Sequence, residues 1–175
     1  MGQPNFLDTG ATNGPAGRGL TMAQSLENRL PPPLVAVVLA LVMGVIAWTT
    51  PATPMPTVVR VGGAALFLLF AGLMGGRAFR AFARAGTTIN PVDIEAASHL
   101  VTTGIYGVSR NPMYVALTSL LLAVAFGLSN GWTLAGPILF ALFTARFQIV
   151  PEERVMRAKF GEAYAAYTAR VRRWL

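Results

Sequence analysis

The sequence predicts an all-α integral membrane protein: about four transmembrane helices followed by a C-terminal amphipathic helix. Three observations lead there. Of 175 residues, 54% are hydrophobic and 12% charged, about half the charged share of an ordinary soluble domain, and the mean hydropathy is +0.53. Such a chain has too little polar surface to cover a soluble globule of its size. Its apolar residues gather into four runs, and its basic residues gather beside those runs rather than along one periodic stripe. Buried helices of a soluble bundle are the competing explanation, and the composition disfavours them.

Residues 1–28 are rich in Gly, Pro, Asn and Thr without an apolar period, which predicts a flexible tail ahead of a membrane domain over 29–175. The first apolar run begins only after Pro31, Pro32 and Pro33, too late for a signal peptide. It covers 34–49, the second 58–79, the third 113–128 and the fourth 132–150. The first and third are short for a hydrocarbon core of about 30 Å. Residues 50–56 form a proline-rich break. Ser129, Asn130 and Gly131 predict a tight turn, and with it an antiparallel hairpin of the third and fourth helices.

Gly72 and Gly76 make a G-x-x-x-G in the second run and predict close helix packing. Pro137 predicts a kink in the fourth. Pro151 suits the first position of a new helix, in which Met156, Phe160, Ala163, Tyr164, Tyr167 and Val171 recur at helical spacing. That helix either lies on the membrane surface or folds back over the bundle.

Four spans with both termini inside would place 13 of the 14 basic residues on the cytoplasmic side, Arg60 being the exception. The expected location is the plasma (inner) membrane, multi-pass, with the polar clusters facing the cytoplasm. The net charge of +7 therefore reads as membrane flanks and gives no reason to expect a nucleic-acid partner. With no cysteine and a single histidine, His99, thiolate metal sites, histidine-rich metal sites, disulfides and a cysteine nucleophile are all excluded.

Candidate chemistry lies in two polar clusters at membrane boundaries. Asn111 and Pro112 look like a helix N-cap and first turn; with Arg110 before them they would make an anion site for a carboxylate or phosphate. Glu152 and Glu153 could sit in a helix first turn for its dipole, or could hold an ammonium group or ribose hydroxyls. Arg146, within the fourth run, is either a functional intramembrane charge or a snorkelling side chain. Tyr106 and Tyr114 are interface anchors or a stacking surface for an aromatic ligand. An amphoteric ligand bearing an aromatic base would suit such a set; composition and spacing do not name it.

Leu100, Val101, Thr102, Thr103, Gly104, Ile105 and Tyr106, then Ser109 to Tyr114, then Glu152 and Glu153, then Phe160, Gly161, Glu162, Ala163, Tyr164, Tyr167 and Val171 resemble, in order and spacing over about residues 86–174, the isoprenylcysteine carboxyl methyltransferase and phospholipid methyltransferase group. The resemblance implies an integral membrane enzyme using S-adenosylmethionine, its cofactor site drawn from 98–114 and 146–167. It implies cofactor contacts from Ser98, His99, Leu100, Val101, Tyr106, Asn111, Pro112, Met113, Tyr114, Glu152 and Glu153, with Arg110 and Glu153 as the catalytic pair and Arg146 near the substrate. The acceptor expected beside the apolar runs is a lipophilic small molecule or membrane lipid carrying a carboxylate, thiol or amine. Eukaryotic members have histidine where Asn111 stands, and their histidine before the Leu-Val-Thr run is displaced to Ser98–His99, so the resemblance speaks to the cofactor rather than to the acceptor. A nicotinamide-dependent membrane reductase and a non-enzymatic lipid-binding membrane protein are the alternatives.

Overall fold

The computed structural model describes residues 30–85 and 100–175. The tail over 1–28, Arg18, Arg29, Ser98 and His99 lie outside the described residues.

The described residues are helical, without strands. Helix α1 spans Pro32–Thr49, opened by prolines in its first turn, where the missing N–H has no intrahelical partner to lose. Helix α2 spans Thr57–Ala85. At about 43 Å from its rise per residue, it is longer than a hydrocarbon core of about 30 Å, and it continues past the apolar run through Arg80 and Arg84. A 3-10 turn, Gly104–Gly107, precedes α3, Pro112–Leu128. A second 3-10 turn, Gly131–Leu134, leads into α4, Ala135–Thr144, then a π-helical turn, Ala145–Ile149, and α5, Val150–Arg170.

Among the described residues, three helical stretches are long and apolar enough to cross a membrane: Pro32–Thr49, Thr57–Arg84 and the continuous run Gly131–Arg170. The apolar α3 is shorter, at 17 residues. It is the central helix, packed on α2 along one side and on α1 and α4 along the other. Ala116, Ser119, Ala123 and Ala125, all buried, let its neighbours approach. Met43, Leu121 and Phe140 fill the layer between α1, α3 and α4; Met74 and Val115 fill that between α2 and α3. The outer faces carry exposed Leu41, Val45, Trp48, Leu66 and Leu69, which suits lipid contact.

The hairpin at 129–131 forms as expected. Ser129 adopts the left-handed conformation, φ 49°. Buried Asn130 accepts from the Trp132 N–H and donates through Nδ2 to Thr50 Oγ1 at 2.7 Å and the Pro51 carbonyl at 3.1 Å. The Thr53 N–H donates to the Ser129 carbonyl at 2.8 Å, so the α1–α2 and α3–α4 loops are bonded to each other at this end.

Two expectations are corrected and one is refined. Pro137 lies in the first turn of α4, where it costs no backbone bond and makes no mid-helix kink. Pro151 stands in the first turn of α5 as expected, but that helix follows the π turn without a break, so the chain stays helical through it. The break comes ten residues later, at Gly161, with φ 46° and ψ −121°, a conformation side-chain-bearing residues avoid. Finally, a Cβ at Gly72 or Gly76 would meet nothing within 4 Å, whereas one at Gly63 would collide with the Phe126 ring and one at Gly136 with Met43 Sδ. Close packing uses those glycines, and the G-x-x-x-G faces outward.

Candidate functional site

The end opposite the bonded loops gathers the polar residues. Pro112 opens α3 as expected, but Asn111, at the cap position, makes no side-chain cap. Its Nδ2 donates instead to the Arg173 carbonyl at 2.9 Å, and Ser109 Oγ accepts from its backbone N–H at 3.1 Å. Ser109 is fully buried. These bonds fix the backbone that carries Arg110.

The two clusters separated by some forty residues meet here. Tyr114, in the first turn of α3, donates its hydroxyl to Glu152 Oε1. Arg110 Nη1 stands 3.2 Å from Glu153 Oε1, with the two side chains 13% and 10% exposed. Glu153 is also gripped by Arg173, Nε to Oε1 at 3.0 Å and Nη2 to Oε2 at 2.8 Å, the two-pronged guanidinium–carboxylate geometry. Both oxygens of Glu153 are thus committed. The Arg173 side chain's pKa is raised, chiefly by the hydrogen bond it donates to Glu153, so it stays charged.

Arg110 is the anomaly. Its Nε and Nη1 are buried and, among the described residues, have no hydrogen-bond acceptor; the contact with Glu153 is an ion pair by distance alone. Buried charged donors ordinarily find partners, so these two stand out among the described residues.

Aromatic residues wall the site. Tyr106 is buried in its 3-10 turn, edge-on to Phe82 at 5.3 Å, and its carbonyl accepts the Tyr167 hydroxyl at 2.7 Å. Burial above all, then Tyr167 and Glu152, push its phenol well above the usual range, so it remains a neutral hydroxyl. Neither Tyr106 nor Tyr114 is an exposed interface anchor. Beyond the Gly161 kink, α5 folds back: Tyr164, Tyr167 and Val171 pack with Leu100, Met156 and Phe160. This settles the C-terminal helix as a cover over the 100–111 segment.

Of the residues expected from sequence, Leu100, Tyr106, Arg110, Asn111, Pro112, Tyr114, Glu152 and Glu153 belong to this assembly. Val101 and Met113 are half-buried beside them. Arg146 lies on the π turn, exposed, its guanidinium 5.4 Å from the Phe147 ring centroid. Arg173 and Ser109 were not anticipated. Arg173 read as membrane flank; the signal was the pair Val171 and Trp174 around it, apolar enough to require burial.

A cavity of about 440 Å³ lies against the same end of α3, between α2 and α3. Leu66, Phe67, Phe70, Val115 and Leu122 line it, and the C-terminal Trp174 and Leu175 bound it. Thr118 and Ser119 also reach it, but their hydroxyls bond to the Tyr114 and Val115 carbonyls, so the lining offers no unsatisfied donor from them.

A family model described as phospholipid methyltransferase matches residues 58–163, more than half of the chain. An uncharacterized protein of Haemophilus influenzae is 43% identical over 63 residues, covering 36% of this chain and 100% of that protein. No solved structure matches.

Proposed function

The chain belongs to the phospholipid methyltransferase family, and from that premise we propose that it is a membrane-embedded, S-adenosylmethionine-dependent methyltransferase acting on a lipophilic acceptor. The observation that carries the cofactor assignment is the Arg110 guanidinium, with two buried N–H donors that lack acceptors among the described residues. They fit the carboxylate of an amino-acid moiety. Glu153 is occupied by two guanidiniums, so Glu152 is the acid left to accept from an ammonium or ribose hydroxyl, held in place by Tyr114. Leu100, Tyr106 and Tyr164 supply apolar and aromatic surface for an adenine ring.

S-adenosylmethionine bound there supplies a methyl group activated on a sulfonium. The chain's own work is to bind, align and dehydrate. Arg110 and Glu152 fix opposite charges of an amphoteric ligand. The α5 cover excludes water, and the cavity between α2 and α3 gives an apolar acceptor a place beside Val115 and Trp174. A dry site assists acceptors that arrive ionised, a carboxylate or thiolate more than an amine. The basic residues of this end, against Arg60 at the other, support a cytoplasmic site in the plasma (inner) membrane.

Calorimetric titration of the detergent-solubilised protein with S-adenosylhomocysteine is the test. Saturable heat is expected, with affinity falling about tenfold or more in Arg110→Ala and Glu152→Gln, the scale of one charged hydrogen bond. No heat from folded protein would overturn the cofactor reading. Tritiated methyl transfer to membrane lipids, prenylcysteines and small thiols would then separate the acceptor classes.

A further inference from the structure

Beyond α5 the chain turns extended at Val171, φ −118° and ψ 130°, and returns to the start of α3. There the Arg172 carbonyl accepts from the Arg110 N–H at 3.0 Å and the Arg173 carbonyl from Asn111 Nδ2 at 2.9 Å. Trp174 packs on Met74, Val115 and Ala116. This short strap is anchored on both sides of Arg173, and it aims that side chain at Glu153.

Two guanidiniums thus compete for one carboxylate. Arg173 takes both oxygens in well-formed hydrogen bonds. Arg110 lies as near as 3.2 Å, yet its Nε and Nη1 are left without an acceptor. We infer that Arg173 is a positioning residue: by saturating Glu153 it keeps the Arg110 donors available for an incoming carboxylate. Without Arg173, Glu153 has Arg110 as its remaining partner. The carboxylate turns onto Arg110, consumes the vacant donors and lowers the positive charge that a ligand meets. Arg173 then governs carboxylate binding without touching the ligand.

The inference rests on the cofactor reading above and concerns one end of that ligand. Its test compares S-adenosylhomocysteine with S-adenosyl-3-thiopropylamine, which keeps the ammonium and lacks the carboxylate, by calorimetry on the full chain in detergent. In Arg173→Gln, affinity for the first should fall about tenfold, the scale of a charged hydrogen bond, and affinity for the second should hold. Adding Glu153→Gln removes the competitor and should recover most of the loss. A purely structural role predicts that both ligands weaken together and that the double variant is worse; that result, or unchanged affinity for both, would overturn the inference. If the wild-type chain binds neither ligand, the cofactor reading itself fails, and the positioning role with it.

Discussion

Replacing Glu153 with alanine removes the carboxylate on which two arginines converge. Its side chain is 10% exposed and that of Arg110 13%, so Arg110 would be left buried with its N–H groups still unpaired and no counter-charge. Deleting one partner of a buried pair costs about 3–5 kcal/mol. The Arg173 half is 39% exposed, and solvent screens much of its share. A loss of about 3 kcal/mol is therefore expected, mostly from Arg110, which at this chain length corresponds to a Tm lower by about 6–12 °C. Heating in detergent with tryptophan fluorescence reads this directly: the chain has three tryptophans and no cysteine, and Trp174 sits one residue beyond Arg173. In a double-mutant cycle, Arg173→Ala added to Glu153→Ala should cost less than in the wild-type background, because its partner is already gone. A Tm within about 2 °C of wild type, or full additivity in the cycle, would refute the idea that Glu153 compensates both charges.

Two further expectations concern backbone and packing. Gly161→Ala places a Cβ in open space, so its cost is conformational alone, about 1–3 kcal/mol for the φ of 46°; an unchanged Tm would remove the kink from the account of how α5 turns back. Gly136→Ala should destabilise by about 1–3 kcal/mol through collision with Met43, whereas Gly72→Ala should be neutral or stabilising by up to about 1 kcal/mol through helix propensity. The same thermal assay checks the order of the two, and a reversal would mean that the G-x-x-x-G face is packed after all.

What the sequence revealed and what it concealed divide along one physical line. Apolar runs and proline-rich breaks are local signals, and they located α1, α3 and the 129–131 hairpin closely. The resemblance in motif order brought residues 110–114 and 152–153 into one site, which no local pattern could have done. Arg173 was missed because its role depends on a chain reversal after Val171, encoded by burial of Val171 and Trp174 rather than by its own neighbours. The continuity of the chain through Pro151 was not legible because a π turn has no residue signature of its own: a proline in a first turn fits a helix that starts afresh and one that follows another without a break. Glycine spacing likewise says that two helices could approach at Gly72 and Gly76, while Phe126 and Met43 determine that they approach at Gly63 and Gly136 instead.

The π turn at Ala145–Ile149 also sets an angular phase. A helix advances about 100° per residue, and a π turn holds one residue more than an α turn, so everything after it is rotated by about that angle relative to an unbroken α-helix. Glu152 and Glu153 begin three residues later, and they face Tyr114 and Arg110 only in this phase. Residue count between 145 and 149 therefore matters more than residue identity: exchanging side chains there leaves the acids aimed at α3, while deleting a single position would swing both toward a different neighbour.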